Sequence, residues 1–234
     1  MGNKLKVILC SLVFGAMANA APNAWATDAL YKAIQDQDVS VVAVELETGA
    51  DPNYKKKGGF TALGMAAYKG DAQIAQLLIE AGADVDHVVR SSTLDRPLSM
   101  AAVSSNDTSK VITLLIKAGA DPEFTSGDWV MTPLQLAIMN HRTQNALAFV
   151  QNDVDLSAPD KVGDPALHGA IYQRNEPVLR ALLQKKADPT FLNDSGENAF
   201  QFAKKWGRDD FALPILNEFH PNFCDTNPCD IEQK

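Results

Sequence analysis

Two closely spaced cysteines, four histidines and a scatter of carboxylates are the side chains of this 234-residue sequence whose types could do chemistry. Cys224 and Cys229 lie in FCDTNPCD near the C-terminus. That spacing suits either a small disulfide loop in an oxidising compartment or a metal site with His220 as a further ligand. The disulfide is the reading preferred here, because a structural zinc ion wants four ligands and only two or three lie nearby. So short a loop contributes little through chain entropy and would serve to pin the tail against the last helix. The remaining histidines, His87, His141 and His168, show no metal-ligand spacing. No glycine-rich phosphate loop follows a strand and no nucleophile and base arrangement stands out, so neither a catalytic residue nor a cofactor is expected.

Composition sets the compartment and narrows the partners. The formal net charge is −8, with 21 basic against 29 acidic residues spread along the chain. Nucleic acid is therefore not an expected partner, since phosphate binding needs a clustered basic face, and Lys55, Lys56 and Lys57 form too short a run. The first segment reads MGNKLKVILCSLVFGAMANAAPNAWA. Lys4 and Lys6 make a positive start, Val7 to Met17 is apolar, and small-x-small sites end at Ala20 and Ala26. This is the pattern of a secretory signal peptide, expected over residues 1–20 with cleavage after 26 as the alternative. The apolar run falls short of the roughly 20 residues that span a bilayer, and no other stretch is apolar and long enough, so no membrane insertion is expected after cleavage. Cleavage also removes Cys10. A Gram-negative periplasm is the expected location. Asn106-Asp107-Thr108 and Asn193-Asp194-Ser195 match the glycosylation acceptor pattern, which a eukaryotic secreted origin would use.

These residues must be positioned by elements, and the elements repeat. LLIEAGADVD starting at Leu77 returns as LLIKAGADPE starting at Leu114. Aligning TALGMAAYKG, RPLSMAAVSS, TPLQLAIMNH, PALHGAIYQR and NAFQFAKKWG gives anchor residues Leu63, Leu98, Leu134, Leu167 and Phe200, spaced 35, 36, 33 and 33, with a weaker copy at Leu30. In each unit a small-residue helix is followed by a bulkier one. Ile74, Leu77 and Leu78, then Val111, Leu114 and Leu115, recur at helical spacing and are expected to face the core. Thr132 with Pro133 predicts a capped helix start. Gly82 and Gly119 predict left-handed helix ends, with Asp84 and Asp121 accepting backbone hydrogen bonds in the turn. The departures are two extra residues in SSNDTSK, Asp153 where the terminating glycine belongs, polar residues at the front, and Pro214 inside the last helix.

The period and the Thr-Pro-Leu and Gly-Ala-Asp motifs resemble the ankyrin repeat, over residues 28–219. The resemblance implies an all-α solenoid of about six helix-turn-helix units with short β-turn fingers, followed by a tail at 220–234. It also implies a structural, hydrogen-bonding role for His168, and partners that lie along a concave surface of fingers and first helices. The register puts Tyr68, Val103, Met139, Tyr172 and Lys205 five residues after the anchors, and Phe60, Asp95, Met131, Asp164 and Glu197 on the fingers, with Trp129 at a neighbouring fingertip. Phe60, Tyr68, Asp95, Trp129, Met131, Met139, Asp164 and Tyr172 are the expected partner-binding set, against the reading that the apolar ones lean back onto neighbouring helices. Trp206 either joins them or covers the core. Asp95, Asp164 and Glu197 point to a partner with a basic rim. The expectation is a non-catalytic protein that binds another protein, as an inhibitor or immunity protein sequestering a basic toxin or secreted enzyme. A scaffold for an enzyme, such as one in oxidative defence, and a secreted effector binding host proteins are the alternatives.

Overall fold

The computed structural model describes residues 24–54, 60–88, 96–125 and 130–221, and side chains from residue 28 onward within them. The expected signal segment, Asp95, Trp129, Cys224 and Cys229 lie outside these residues. Twelve helices form six pairs: α1 Ala24–Asp36 and α2 Val39–Glu47; α3 Ala62–Lys69 and α4 Ala72–Glu80; α5 Pro97–Val103 and α6 Ser109–Lys117; α7 Pro133–Met139 and α8 Thr143–Gln151; α9 Ala166–Tyr172 and α10 Glu176–Gln184; α11 Ala199–Lys205 and α12 Asp209–Phe219. From unit to unit, odd-numbered helices pack on odd and even on even, giving two parallel layers. Among the described residues extended structure is limited to single bridging residues, Thr61 and Met131.

Local chemistry makes each unit. Thr61 Oγ1 accepts from the Gly64 N–H at 2.9 Å, and Thr132 with Gln135 closes a reciprocal capping box ahead of Pro133. Alanines fill the seam between first helices, where Ala66, Ala67, Ala101, Ala102, Ala137, Ala170 and Ala203 are fully buried. The second helices supply bulk, with Ile74, Leu78, Val111 and Leu115 sealed from solvent. Leu77 and Leu114 pack against the core from its edge. They are only partly buried and line a shallow depression on the outer layer with Val39, Ala72 and Lys110, because the core stripe of each second helix is too narrow to take every apolar position. Gly82 and Gly119 do take left-handed backbone, at φ 90° and 93°, and Asp84 and Asp121 then accept from the N–H two residues on, at 3.0 Å each. The extra residues of the third unit are held by a buried Asn145, whose Oδ1 accepts from the Thr108 N–H at 3.0 Å while its Nδ2 donates to the Ala101 and Ser104 carbonyls, each at 3.1 Å.

Candidate functional site: the first-helix and finger face

Nine large apolar side chains are exposed among the described residues, and their placement is uneven. Val41 and Val44 lie on α2. The other seven lie off the second helices: Tyr68, Tyr172 and Trp206 at the ends of first helices, and Val88, Val130, Val162 and Leu192 in the segments joining one unit to the next. The rings are paired. Phe60 stacks on Tyr68 with centroids 6.3 Å apart at 27°, and Tyr172 meets Trp206 edge to face at 5.4 Å. Tyr68 keeps 39% of its surface exposed, Tyr172 37% and Trp206 46%, so ring pairing leaves area available to another molecule.

Side chains of the following unit hold this row in place. The carbonyl at the end of each first helix lacks a partner within its own helix and would be orphaned. Tyr68 O accepts from Ser104 Oγ at 2.5 Å, Val103 O from Arg142 Nε at 3.0 Å, Met139 O from Gln173 Nε2 at 3.4 Å, and Tyr172 O from Arg208 Nε at 3.0 Å. These bonds fix the backbone beneath Tyr68, Val103, Met139 and Tyr172. Arg208 also lies over the Tyr172 ring, 5.5 Å from its centroid.

Several expected site residues turn out to be structural. Met131, expected to face a partner, is buried at 9% exposure, because its bridge on the finger turns the side chain inward. Met139 is half-buried, with its sulfur 3.6 Å from Gln173 Nε2. Asp164 is partly buried and accepts from Asn193 Nδ2 at 2.8 Å, and burial raises its carboxyl above the ordinary range. Glu197 pairs with Lys205 and also faces Asn193. A basic partner rim therefore finds no support in Asp164 or Glu197, whose charges are turned to internal tasks. Of the two acceptor asparagines, Asn193 is buried, while Asn106 is exposed and donates to the Tyr68 and Lys69 carbonyls at 3.3 and 3.2 Å.

His168 takes the role implied for it. Its Nε2–H donates to the Glu197 carbonyl of the next finger at 3.2 Å, its ring meets Phe202 edge to face at 4.8 Å, and burial pushes its pKa down to about 4. His141 is exposed at the inter-helix turn, and His87 stands 3.6 Å from Asp84. Among the described residues, no three His, Cys, Asp or Glu side chains are grouped to hold a metal ion, and no helix is long and apolar enough to cross a membrane.

Residues 98–193 match the family described as Ankyrin repeats (3 copies), and residues 30–79 match Ankyrin repeats (many copies). The chain belongs to the ankyrin-repeat family. This ankyrin-repeat chain is 25% identical over 177 residues to human Ankyrin repeat and SOCS box protein 3, covering 75% of the chain and 34% of that protein. It is 25% identical over 181 residues to an L-asparaginase of Dirofilaria immitis, covering 77% and 30%, and 37% identical over 105 residues to mouse tRNA endonuclease ANKZF1, covering 42% and 14%. It spans roughly a third or less of each of these relatives. Among solved structures, the ankyrin repeat domain of Bcl-3 superposes with a TM-score of 0.69 at 22% identity, covering 80% of this chain and 81% of that one. The resemblance to the three differently named relatives lies in the repeats, a fold that indicates a protein-protein interaction module.

Sequence reasoning missed the finger valines, Leu192, and the arginines at 142 and 208. The first group carries no motif of its own, and the arginines do their work on carbonyls 39 and 36 residues away.

Proposed function

We propose that this ankyrin-repeat chain is a non-catalytic binding protein exported to the periplasm, where it holds another protein, a toxin or secreted enzyme of the same compartment, against its first-helix and finger face and so blocks it. The observation that carries the binding part is that seven of the nine exposed large apolar residues stand at first-helix ends and in the joining segments. A monomer with no partner there would gain nothing by ordering exposed rings in register. The inhibitor part draws on the signal-like start of the chain and on a surface built of packing side chains in place of reacting groups.

The test is a pull-down from the native envelope fraction with wild type and a Tyr68→Ala, Tyr172→Ala, Trp206→Ala variant of matched helical content. A partner identified by mass spectrometry should be captured by wild type and lost from the variant, and its activity should fall when purified chain is added. Equal capture would remove the proposed face from the account. An activity that rises with added chain would replace inhibition by support of the partner.

A further inference from the structure

The surroundings of the exposed rings give the partner a charge. Five arginines fall among the described residues, and three of them are paired: Arg96 with Asp86 and Asp121, Arg174 with Asp210, Arg180 with Glu176 and Glu218. Arg142 and Arg208 differ. Neither has a carboxylate within salt-bridge distance among the described residues, in a chain with an excess of 8 acidic charges. Both sit at the same place in the repeat, heading α8 and α12 two units apart, and both spend Nε on the helix-end carbonyl of the preceding unit. Arg208 gives Nη1 to the Trp206 and Gly207 carbonyls, which orients its guanidinium, and it helps hold down the carboxyl of Asp210 without closing an ion pair with it. An arginine already held by such bonds presents the donors it has left, Nη2 in Arg208, in a fixed direction, which loses little entropy when a carboxylate arrives.

We propose that the partner is acidic where it meets the C-terminal half of this face: its carboxylates are received by Arg142 and Arg208, while its apolar side chains cover Tyr172 and Trp206. This rests on the binding face argued above, and it reverses the sign that the finger acids first implied. The charge complementarity is local: of the two aspartates that follow Arg208, Asp210 is taken by Arg174, and the finger acids Asp164 and Glu197 are occupied by Asn193 and Lys205. Local complementarity of this kind fixes register and speeds encounter.

The probe is a phage-displayed library of random peptides selected on the full chain. The expected selection is enriched in Asp and Glu beside aromatic or aliphatic residues, and binding weakens as salt rises. An Arg142→Gln, Arg208→Gln variant should bind the selected peptides about tenfold or more weakly, with a flatter salt dependence. Because each Nε also caps a helix end, an Arg142→Lys, Arg208→Lys variant is measured alongside. It changes the capping group and keeps the charge, so retained binding in it assigns the loss in the glutamine variant to charge. Neutral or basic selected peptides, an empty selection, or binding unchanged in the glutamine variant would overturn the acidic partner. Peptides insensitive to the arginines yet lost from the Tyr68→Ala, Tyr172→Ala, Trp206→Ala variant would leave the binding face standing. Peptides insensitive to both sets would remove both.

Discussion

One residue after each anchor stand Gly64, Ser99, Gln135, His168 and Gln201, and this column shows how a single position in the repeat can be solved differently in each unit. Gln135 Nε2 donates to the Ala158 and Asp164 carbonyls at 2.9 and 3.0 Å, reaching the next finger much as His168 does. Ser99 is too short for that reach, and its buried Oγ has no partner among the described residues. At Gly64 the Met100 sulfur fills the space, 2.8 Å from where a Cβ would stand. The histidine brings a pH dependence that the glutamine avoids. Its pKa is about 4 in the fold against 6.5 in the unfolded chain, so the unfolded chain binds the proton first. The stabilising share of neutral His168 is thus whole above about pH 6.5 and is lost as pH falls from there toward about 4, a difference of about 3 kcal/mol by linkage. A His168→Gln variant should keep the finger tie and show a flatter stability profile across that window in urea unfolding. Equal slopes in wild type and variant would mean that the ring is not buried neutral.

Helix ends tell a similar story one scale up. The first five units take left-handed backbone where the second helix stops; glycine supplies it at 49, 82 and 119, whereas Asp153 and Lys186 adopt φ of 55° and 64° without that freedom. A non-glycine residue held there carries strain of order 1 kcal/mol. Asp153→Gly is therefore expected to raise stability by roughly 0.5 to 1 kcal/mol. Its ion pair with Lys185, at 2.6 Å but well exposed, subtracts little. Chemical denaturation of the variant checks this, and a loss of stability would show that the ion pair or the aspartate side chain outweighs the strain. The same contrast explains what could be read in advance. Anchors, alanine seams and terminating glycines answer to their own helix, so their spacing alone displays the solenoid, and even the misfit at Asp153 was visible as a misfit. The site was legible only in part. Tyr68 and Tyr172 were placed by register, but Met131, Asp164 and Glu197 are claimed by groups of neighbouring turns and helices, and a linear pattern gives no sign of a partner lying 29 residues along the chain, as Asn193 does for Asp164. Trp206 could be read either way until its ring was seen against Tyr172.

Across the whole molecule, three sets of side chains bind unit to unit. Asn53 Oδ1 accepts from the Asp84 N–H at 2.7 Å, Asp86 from the Asp121 N–H at 3.1 Å, and Glu123 from the Asp155 N–H at 2.8 Å, so part of the acidic composition is a ladder along the turns. The helix-end donors Ser104, Arg142, Gln173 and Arg208 make a second ladder, and Gln135 with His168 begins a third. In a solenoid each unit touches only its neighbours, so cooperativity is the sum of these interfaces and fails at the weakest. Asn145 is where the third and fourth units depend on one buried side chain, which alone satisfies the Thr108 N–H and also binds two carbonyls. Asn145→Ala leaves the Thr108 N–H and the Ser104 carbonyl without this partner, while the Ala101 carbonyl keeps its bond from Thr108 Oγ1, at a cost of about 2 to 4 kcal/mol. The loss falls on one interface, so its effect on cooperativity should exceed its effect on either half. In native-state hydrogen exchange the wild-type core amides of α4 and α10 are expected to open together, and in the variant those of α4 should open at lower free energy while those of α10 keep more of their protection. If both helices lost protection equally, the coupling between halves would have to run through the packed alanine seam and not through this asparagine.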